Sequence, residues 1–439
     1  MRYIVTAPKS LTQPLCVGLP ASKSLSNRAL IMQGLCRDHC RLTNISDCDD
    51  TRVMLKAFDK DSSKYCYADD GARIVDIGAA GTSMRFLTAF FASQEGKEVV
   101  MTGSERMRQR PISLLVDALR QLGARIDYVA EDGFPPLRIH GRKLKGGALT
   151  IDGSVSSQYI SALLMIAPTL DEGLQLMLSG NITSVPYIEM TLGMLRQFGI
   201  TSDWDHATQV IRIAPQRYQA QRYHIESDWS AASYWYEMVA FAAFAERTNR
   251  PNAVTLDGLH PSSLQGDAAI ARFFEALGVR TTFQNEVATL ETLSQSNIVP
   301  SPLVLDLTSQ PDLAQTLIVT CCGMNVPFRI TGLHTLRIKE TDRVAALETE
   351  LKKLGYVVTD HELNGSVEMQ WDGTRCEPES EPVIATYKDH RMAMAFAPIS
   401  LVLPSHSILI DDPGVVSKSY PNYWDDLRKA GFSIQELSF

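Results

Sequence analysis

The segment RIKETDR holds three residues suited to acid–base chemistry, namely Lys339, Glu340 and Arg343. A carboxylate between cations can exchange a proton while the cations hold an anionic substrate. A second charged group, Asp389–Arg391, stands directly before the apolar run MAMAFAPISL. That run predicts a buried helix, whose first N–H groups need a polar cap and can also bind an anion. Capping explains one charged helix start, whereas several starts that include Lys or Arg favour a ligand site.

Further cations and hydroxyls stand at other predicted helix starts. LPASKSLSNR contains Lys23, Ser24 and Arg28, which fit phosphate or carboxylate binding. ERMRQRP concentrates three arginines and ends them at Arg110. In GAAGTSMR, the absent side chain of Gly81 lets backbone N–H groups approach a ligand. This segment lacks the Gly-Lys-Ser/Thr of a Walker motif, which argues against a nucleoside triphosphatase.

Five amphipathic segments end at a glycine that precedes a strand-like run, as in LVDALRQLGARIDYV. These glycines recur every 76 to 79 residues, at Gly123, Gly199, Gly278, Gly355 and Gly431. Glycine suits this point because it adopts the left-handed conformation that ends a helix. A sixth, shorter copy has Asp59 in the place of the glycine. The period indicates one supersecondary unit repeated along the chain.

A second series of segments alternates with the first, each with small polar or charged residues before an apolar run of helix length. The members are marked by Ser24, Thr82, Ser157, Ser230, Asp312 and Asp389. Each repeat therefore holds one buried helix, one half-exposed helix and strands, and six repeats divide into two domains of three. Asp312 needs an explanation, because a carboxylate at the start of a buried helix must act as a cap or a catalyst.

The composition limits the class of protein. The 439 residues are 45% hydrophobic and 21% charged, which is typical of a globular protein with two or more domains. A net charge of −8 argues against a general nucleic-acid or anionic-membrane binder. The apolar runs are shorter than the ~20 residues of a membrane span. We expect no signal peptide, no metal site at CRDHC and a cytoplasmic location.

Nine segments, in order along nearly the whole chain, resemble the family of 3-phosphoshikimate 1-carboxyvinyltransferases (EPSP synthases): ASKSLSNR, AGTSMR, RMRQRP, GSVSSQY, SVPYIEMT, PDLA, RIKETDR, DHRMAMA and VVSKSYPNYW. The resemblance implies an α/β (α+β) fold, a two-domain inside-out α/β barrel in which each domain has three βαβαββ repeats. By that pattern, residues 20–225 form one domain, and residues 1–19 plus 226–439 form the other. The active site would lie in the cleft between them.

The resemblance also implies an activity, transfer of the enolpyruvyl group of phosphoenolpyruvate to the 5-hydroxyl of shikimate 3-phosphate with release of phosphate. No metal or other cofactor is implied. The expected partners are these two small molecules, without nucleic acid or membrane, and the chain is expected to be a monomer.

The motifs of the family assign roles to individual residues. Phosphoenolpyruvate would be bound by Lys23, Gly81, Arg110, Gln158, Arg343, Arg391 and Lys418. Shikimate 3-phosphate would be bound by Lys23, Ser24, Arg28, Ser156, Ser157, Gln158, Ser184, Tyr187, Asp312 and Lys339. The catalytic residues would be Asp312, Glu340, Lys23 and Lys418, with His390 supporting the site.

Three positions depart from the usual family pattern. Ala79 stands where the family often has Asn, and Phe86 stands where it often has Pro. Thr335 replaces an Asn that often contacts the phosphoshikimate, so that contact is in doubt. These changes could reshape a substrate pocket, but none removes a charge or a candidate catalytic residue.

Two alternative functions remain open. The related transferase that acts on UDP-N-acetylglucosamine typically has a cysteine in the arginine loop, and the loop from Gly103 to Pro111 has none. A non-catalytic binder of anionic metabolites would keep the arginines and serines. Such a protein could dispense with Glu340, Asp312 and Lys418, all of which are present.

Overall fold

The computed structural model describes residues 1–11, 14–59, 61, 63, 65–154, 156–246, 253–293, 302–363 and 366–437. The chain divides into two compact units. Unit 1 consists of Met1–Pro20 and Glu226–Phe439, and unit 2 consists of Ala21–Ile225. Among the helices within the described ranges, none combines the length and the apolar composition that a membrane span requires.

The strands alternate buried and exposed side chains, as in the segment LQLMLS, where the three leucines are buried. The strands are β1 (Arg2–Thr6), β2 (Leu15–Gly18), β3 (Arg41–Thr43), β4 (Cys66–Tyr67), β5 (Arg73–Asp76), β6 (Glu98–Thr102), β7 (Arg125–Tyr128), β8 (Leu137–His140), β9 (Gly147–Asp152), β10 (Leu174–Ser179), β11 (Asp203–Asp205), β12 (Val210–Ile213), β13 (Arg222–His224), β14 (Ala253–Asp257), β15 (Val279–Gln284), β16 (Val287–Thr292), β17 (Leu303–Asp306), β18 (Phe328–Thr331), β19 (Thr359–Leu363), β20 (Ser366–Trp371), β21 (Val383–Ile384), β22 (Ser407–Asp411) and β23 (Ser433–Leu437).

The helices fall between these strands. They are α1 (Lys23–Leu35), α2 (Asp49–Phe58), α3 (Gly81–Ala92), α4 (Glu105–Arg108), α5 (Ser113–Gln121), α6 (Ser157–Ile166), α7 (Val185–Gln197), α8 (Trp229–Glu246), α9 (Ile270–Glu275), α10 (Ala314–Gly323), α11 (Arg343–Lys353), α12 (His390–Phe396) and α13 (Tyr423–Lys429). Short 3₁₀ turns include Gly266–Ala269, Pro311–Leu313, His334–Ile338 and Pro413–Lys418.

The sheets repeat one pairing pattern. In unit 1, β2 pairs parallel with β14, and β16 and then β15 continue antiparallel. The order β17-β18-β20-β19 and the order β21-β22-β1-β23 follow the same rule. In unit 2, the rule holds for β9-β10-β12-β11 and for β5-β6-β8-β7. A third pair in unit 2, β3 with β13, is parallel, and within the described residues it has no antiparallel extension, as expected for a shorter repeat.

Each repeat buries one helix more deeply than the other, as the sequence predicted. Every residue of α10 and of α12 is buried, and α3 is buried at all but one position. Helix α11 is instead amphipathic, and its buried stripe contains Val344, Leu347 and Leu351. The all-round apolar helices therefore form the interior, while the amphipathic ones cover it.

Polar caps at the starts of the buried helices were predicted, and four of six have one. Ser22, Ser156, Asp228 and Asp389 each accept a hydrogen bond from a backbone N–H in the first turn. The prediction was wrong for α3 and α10, whose preceding residues are Ala80 and Leu313 and cap through no side chain. In α10 the 3₁₀ turn Pro311–Leu313 leads directly into the helix, and the Pro311 carbonyl oxygen accepts from the first helical N–H, that of Ala314.

The predicted left-handed glycines are confirmed. Gly123, Gly199, Gly278, Gly355 and Gly431 all have positive φ angles, between 80° and 102°. Four of them stand two residues after the last residue of their amphipathic helix, and Gly278 stands three residues after the end of α9. Asp59, which takes the place of the glycine in the short copy, has φ −57° and ψ 134° and turns the chain differently.

We predict that Gly123→Ala destabilises the protein by about 1 kcal/mol, because a side chain is disfavoured at φ 102°. Crowding contributes little, since an added Cβ would lie 3.8 Å from its nearest described atom, the Lys145 backbone nitrogen. The control is Gly18→Ala, where φ is not positive and no described atom lies within 4 Å of the added Cβ. Urea unfolding should show a lower midpoint only for G123A. Equal midpoints for both variants would contradict the prediction.

Candidate active site

A buried arginine joins three helix starts in unit 1. Arg343, the first residue of α11, is only 2% exposed and makes four hydrogen bonds to three carboxylates. Its Nε donates to Asp389 Oδ2 at 2.7 Å, and its Nη2 donates to Asp389 Oδ1 at 3.4 Å. Its Nη1 donates to Asp312 Oδ1 at 3.1 Å, and its Nη2 also donates to Glu340 Oε2 at 2.9 Å. The planar guanidinium thereby fixes these carboxylates relative to one another.

Asp312 receives bonds from a second arginine. Arg391 donates from Nη2 to Asp312 Oδ2 at 2.8 Å and from Nη1 to the Asp312 carbonyl oxygen at 3.0 Å. The Lys339 ammonium lies 3.8 Å from Asp312 Oδ1. The Asp312 carboxylate is therefore surrounded by three cations, yet 21% of its side chain remains exposed.

The charges in this cluster balance, with three cations against three carboxylates, and their pKa values reflect burial. Burial by itself would lower the pKa of Arg343, but Asp389, Glu340 and Asp312 raise it above its ordinary value. Burial lowers the pKa of Lys339 below its ordinary value, and the nearby Asp312 charge offsets part of that change. An anionic substrate in contact with Arg343 would therefore compete with protein carboxylates already bound there.

The three carboxylates differ in solvent exposure, and they are therefore suited to different roles. Asp389 is fully buried, caps α12 through a bond from Arg391 N at 3.0 Å and holds Arg343 from beneath. Asp312 and Glu340 are 21% and 23% exposed. Only these two can meet both the arginine and a substrate, which suits them to proton transfer.

Two further predicted residues of unit 1, Lys418 and His390, lie close to Asp389. His390 follows Asp389 in the chain, and Lys418 contacts Lys388, the residue before it. Lys418, at the end of the turn Pro413–Lys418, donates from Nζ to the Lys388 carbonyl oxygen at 2.7 Å. Lys388 itself has a positive φ of 57°, as does Tyr387 at 53°, so the segment before α12 is tightly turned. His390 is 2% exposed, and its Nδ1 lies 3.6 Å from Asp389 Oδ1.

In unit 2, Lys23 and Arg110 occupy two helix starts. Lys23 is the first residue of α1, and its ammonium lies 3.9 Å from Asp50 Oδ2. Arg110 approaches the start of α3 closely, since a Cβ placed on Gly81 would lie 2.7 Å from Arg110 Nη1. Any side chain at Gly81 would therefore push this guanidinium away, which gives the glycine a steric reason.

The starts of α3 and α6 are also linked. Gln158 Nε2 donates to Thr82 Oγ1 at 3.1 Å, and Gln158 N donates to the capping Ser156 Oγ at 3.3 Å. Ser157 is buried beside them. The structure thus brings the predicted residues Gly81, Arg110, Ser156 and Gln158 to adjoining helix ends within unit 2.

Arg28 lies deeper in unit 2 than its predicted role suggests. It is 2% exposed, and its Nε donates to Thr191 Oγ1 at 2.8 Å, while its Nη2 donates to Ser161 Oγ at 3.0 Å. Its Nη1 donates to the Ser24 carbonyl oxygen at 3.0 Å. Burial lowers its pKa to about 10, so it stays charged at neutral pH. Its described contacts tie α1 to α6 and α7, and its role as a phosphoshikimate ligand stays a prediction.

Ser184 and Tyr187 belong to the start of α7. Ser184 is 7% exposed and adopts a left-handed conformation with φ 55° directly before the helix. The carbonyl oxygen of Tyr187 accepts from Arg28 Nη2 at 3.5 Å. The left-handed conformation of Ser184 changes the direction of the chain, so that Ser184 and Tyr187 both lie at the start of α7.

The sequence profile of the EPSP synthase (3-phosphoshikimate 1-carboxyvinyltransferase) family matches residues 6–427. The chain is 51% identical over 435 residues to a 3-phosphoshikimate 1-carboxyvinyltransferase of Bacteroides fragilis, and the alignment covers 99% of each chain. It is 38% identical to that of Edwardsiella ictaluri, over 93% of this chain and 94% of the relative. The chain belongs to the EPSP synthase family.

The fold agrees with this family. An EPSP synthase structure from Acinetobacter baumannii superposes with a TM-score of 0.74 at 21% identity, covering 99% of this chain and 100% of that one. A second EPSP synthase structure from Acinetobacter baumannii gives a TM-score of 0.73 at 20% identity. The predicted two-domain enolpyruvyl transferase fold is therefore confirmed.

Two of the positions that depart from the usual EPSP synthase pattern have distinct surroundings. The Phe86 ring is buried 5.2 Å from the Arg28 guanidinium, where a cation over an aromatic face is stabilised. Thr335 is 8% exposed, and its Oγ1 has no hydrogen-bond partner in the described part of the chain.

Sequence reasoning missed three charged residues of this EPSP synthase family member. Asp389 was noted as a helix cap, but its bonds to Arg343 were not foreseen. Asp50 was overlooked within the segment DCDDT, although an acidic run one helix away from Lys23 was an available signal. Asp267, in the segment SLQGDAAI, gave no pattern that could have marked it.

We predict that Arg343→Gln lowers the free energy of unfolding by about 3 kcal/mol or more, because it leaves the buried Asp389 without its cation. The matched control is Arg337→Gln. Arg337 also faces three carboxylates, those of Asp342, Asp360 and Glu362, but it is 30% exposed. Its loss should cost less than about 1 kcal/mol. Similar losses for both variants in urea unfolding would contradict the assigned importance of burial.

Proposed function

We propose that this chain transfers the enolpyruvyl group of phosphoenolpyruvate to the 5-hydroxyl of shikimate 3-phosphate, giving 5-enolpyruvylshikimate 3-phosphate and phosphate. Membership of the EPSP synthase family supports the reaction class. The observation that carries the proposal is the cluster in which Arg343 holds two partly exposed carboxylates, Asp312 and Glu340, beside Arg391. Both substrates are polyanions, and this cluster offers cations together with groups that exchange protons.

The residues that we assign to phosphoenolpyruvate are mainly cations. In unit 2 we assign Lys23, Gly81, Arg110 and Gln158 to this substrate. In unit 1 we assign Arg343, Arg391 and Lys418. Asp389 supports the assignment of Arg343, because it holds the guanidinium whether or not Asp312 and Glu340 exchange their bonds with the substrate.

The proposed shikimate 3-phosphate ligands are mainly hydroxyls and cations at helix starts. In unit 2 they are Lys23, Ser24, Arg28, Ser156, Ser157, Gln158, Ser184 and Tyr187, and in unit 1 they are Asp312 and Lys339. The hydroxyls suit the neutral groups of the sugar-like ring, and the cations suit the phosphate. The buried Thr335 hydroxyl is a further candidate in unit 1.

The proposed reaction is an addition followed by an elimination. The 5-hydroxyl adds to the enol carbon of phosphoenolpyruvate and loses its proton, while the methylene carbon gains one. Phosphate then leaves from the tetrahedral intermediate as the methyl carbon returns a proton. Asp312 and Glu340 are assigned to these proton transfers, and Lys23 and Lys418 to the charge that develops on the leaving phosphate.

The first test is phosphate release with the purified chain. Turnover with shikimate 3-phosphate and phosphoenolpyruvate, and none with UDP-N-acetylglucosamine in place of the first, would support the proposal. Calorimetric binding of shikimate 3-phosphate without any phosphate release would instead favour a non-catalytic binder and overturn it.

The remaining part of the proposal concerns setting and assembly. We propose that the chain works as a monomer in the cytoplasm, which its ordinary globular composition and its net charge of −8 favour. Light scattering at micromolar concentration would test the monomer, and a mass near twice the 48.6 kDa of the chain would contradict it.

We predict that Glu340→Gln lowers kcat by a factor of about 10²–10⁴, because the amide keeps the shape of the side chain but exchanges no proton. Binding of shikimate 3-phosphate should change little. The control is Glu362→Gln, whose side chain is 73% exposed and whose kcat should equal that of wild type. Steady-state kinetics and calorimetry measure the two quantities. Equal losses in kcat and in binding would mean that Glu340 only positions the substrate.

A further inference from the structure

A buried carboxylate lies close to the cluster of unit 1, and none of the roles proposed above uses it. Asp267, in the 3₁₀ turn Gly266–Ala269, is 4% exposed. Its Oδ2 accepts a hydrogen bond from Ser230 Oγ, in the first turn of α8. Its Oδ1 accepts none from the described residues. Burying a carboxylate with so few partners is costly, so its retention calls for a physical reason.

Ser230 connects this carboxylate to Arg391. The Ser230 hydroxyl gives its proton to Asp267, which leaves the oxygen lone pairs facing Arg391 Nη2 at 3.5 Å. The same Nη2 donates to Asp312 Oδ2 at 2.8 Å. A chain of polar contacts thus runs from Asp267 through Ser230 and Arg391 to Asp312.

We propose that Asp267 is a positioning residue, which orients the Ser230 hydroxyl so that Arg391 is held where it binds both Asp312 and phosphoenolpyruvate. This inference rests on the proposed enolpyruvyl transfer and adds to it a residue that touches neither substrate. Without the Asp267 charge, the Ser230 hydroxyl can turn its proton toward Arg391, and the guanidinium then loses its contact with Ser230.

The surroundings of Asp267 make the effect depend on pH. The groups that face it are Asp228 and Ser230 on α8, Asp312 at the start of α10 and Arg391 on α12. Burial, followed by repulsion from Asp312, raises the pKa of Asp267 to about 7, while Arg391 opposes the shift. Asp267 is therefore mostly ionised at pH 8 and mostly protonated at pH 6.

The test compares Asp267→Asn with wild type at pH 8 and pH 6, using kcat/KM for phosphoenolpyruvate. The kcat/KM of the variant should be about tenfold lower than that of wild type at pH 8, which corresponds to the loss of one hydrogen bond to a charged group. At pH 6 it should lose only about twofold, because wild-type Asp267 is then about nine-tenths protonated and resembles the amide. Ionisation of the substrate cancels, since both proteins are compared at each pH.

A merely structural role would lower activity equally at both pH values, and that result would overturn the inference. So would full activity of the folded variant at pH 8. If wild type itself shows no turnover, the proposed function fails, and the two failures are thereby distinguished. Asp426→Asn is the control. It removes another buried carboxylate of unit 1, one bound to Tyr420 and Lys429, and its losses should not differ between pH 6 and pH 8.

Ser230→Ala tests the path in case Asp267→Asn folds poorly. The alanine variant should also lose about tenfold in kcat/KM at pH 8, since Arg391 loses the same contact. The double variant should lose no more than Ser230→Ala alone, because Asp267 acts through Ser230. If the losses of kcat/KM in the two single variants multiply in the double variant, the proposed route from Asp267 through Ser230 is wrong.

Discussion

The pairing of Arg343 with Asp389 is the interaction on which the candidate site of unit 1 depends. Both side chains are essentially excluded from solvent, at 2% and 0% exposure, so the attraction between them must offset the desolvation penalty of each. Because Arg343 is the first residue of α11 and Asp389 caps α12, the pair also fixes the start of α11 against the start of α12. Asp312, at the start of α10, then joins through the same guanidinium. One buried cation therefore orders three segments that are far apart in the chain.

The repeated fold explains why chemistry gathers at helix starts. The bodies of the six buried helices are constrained by packing on all sides, as the fully buried α10 and α12 illustrate. Their first turns carry N–H groups that have no partner within the helix, and polar side chains can satisfy them. Within each unit, neighbouring starts then make polar contacts, as Gln158 does with Thr82 and as Arg391 does with Asp312. One scaffold can thus present a different side chain from each copy.

The sequence predicts those features that a local requirement dictates. The glycines after the amphipathic helices were predictable because a left-handed residue is needed at each end. For the same kind of reason, the sequence offers Thr341 or Asp342 as the cap of α11, and Asp342 takes that place. Contacts between distant segments were not. Arg28 was predicted only as an anion ligand, yet it bonds to Ser161 and Thr191, which lie 133 and 163 residues away in the chain.

In the cluster of unit 1, one carboxylate only holds the cation Arg343, while two others are also suited to proton transfer. A carboxylate that must meet a substrate has to be reachable, and a reachable carboxylate can be drawn away from the cation it holds. Asp312 and Glu340, each exposed by about a fifth, therefore cannot alone secure Arg343 during turnover. Asp389 meets no solvent, so its bonds to Arg343 are shielded from competition by a ligand. Under the proposed function, a buried anchor beneath two exposed acids would let those acids change partners without releasing the central cation.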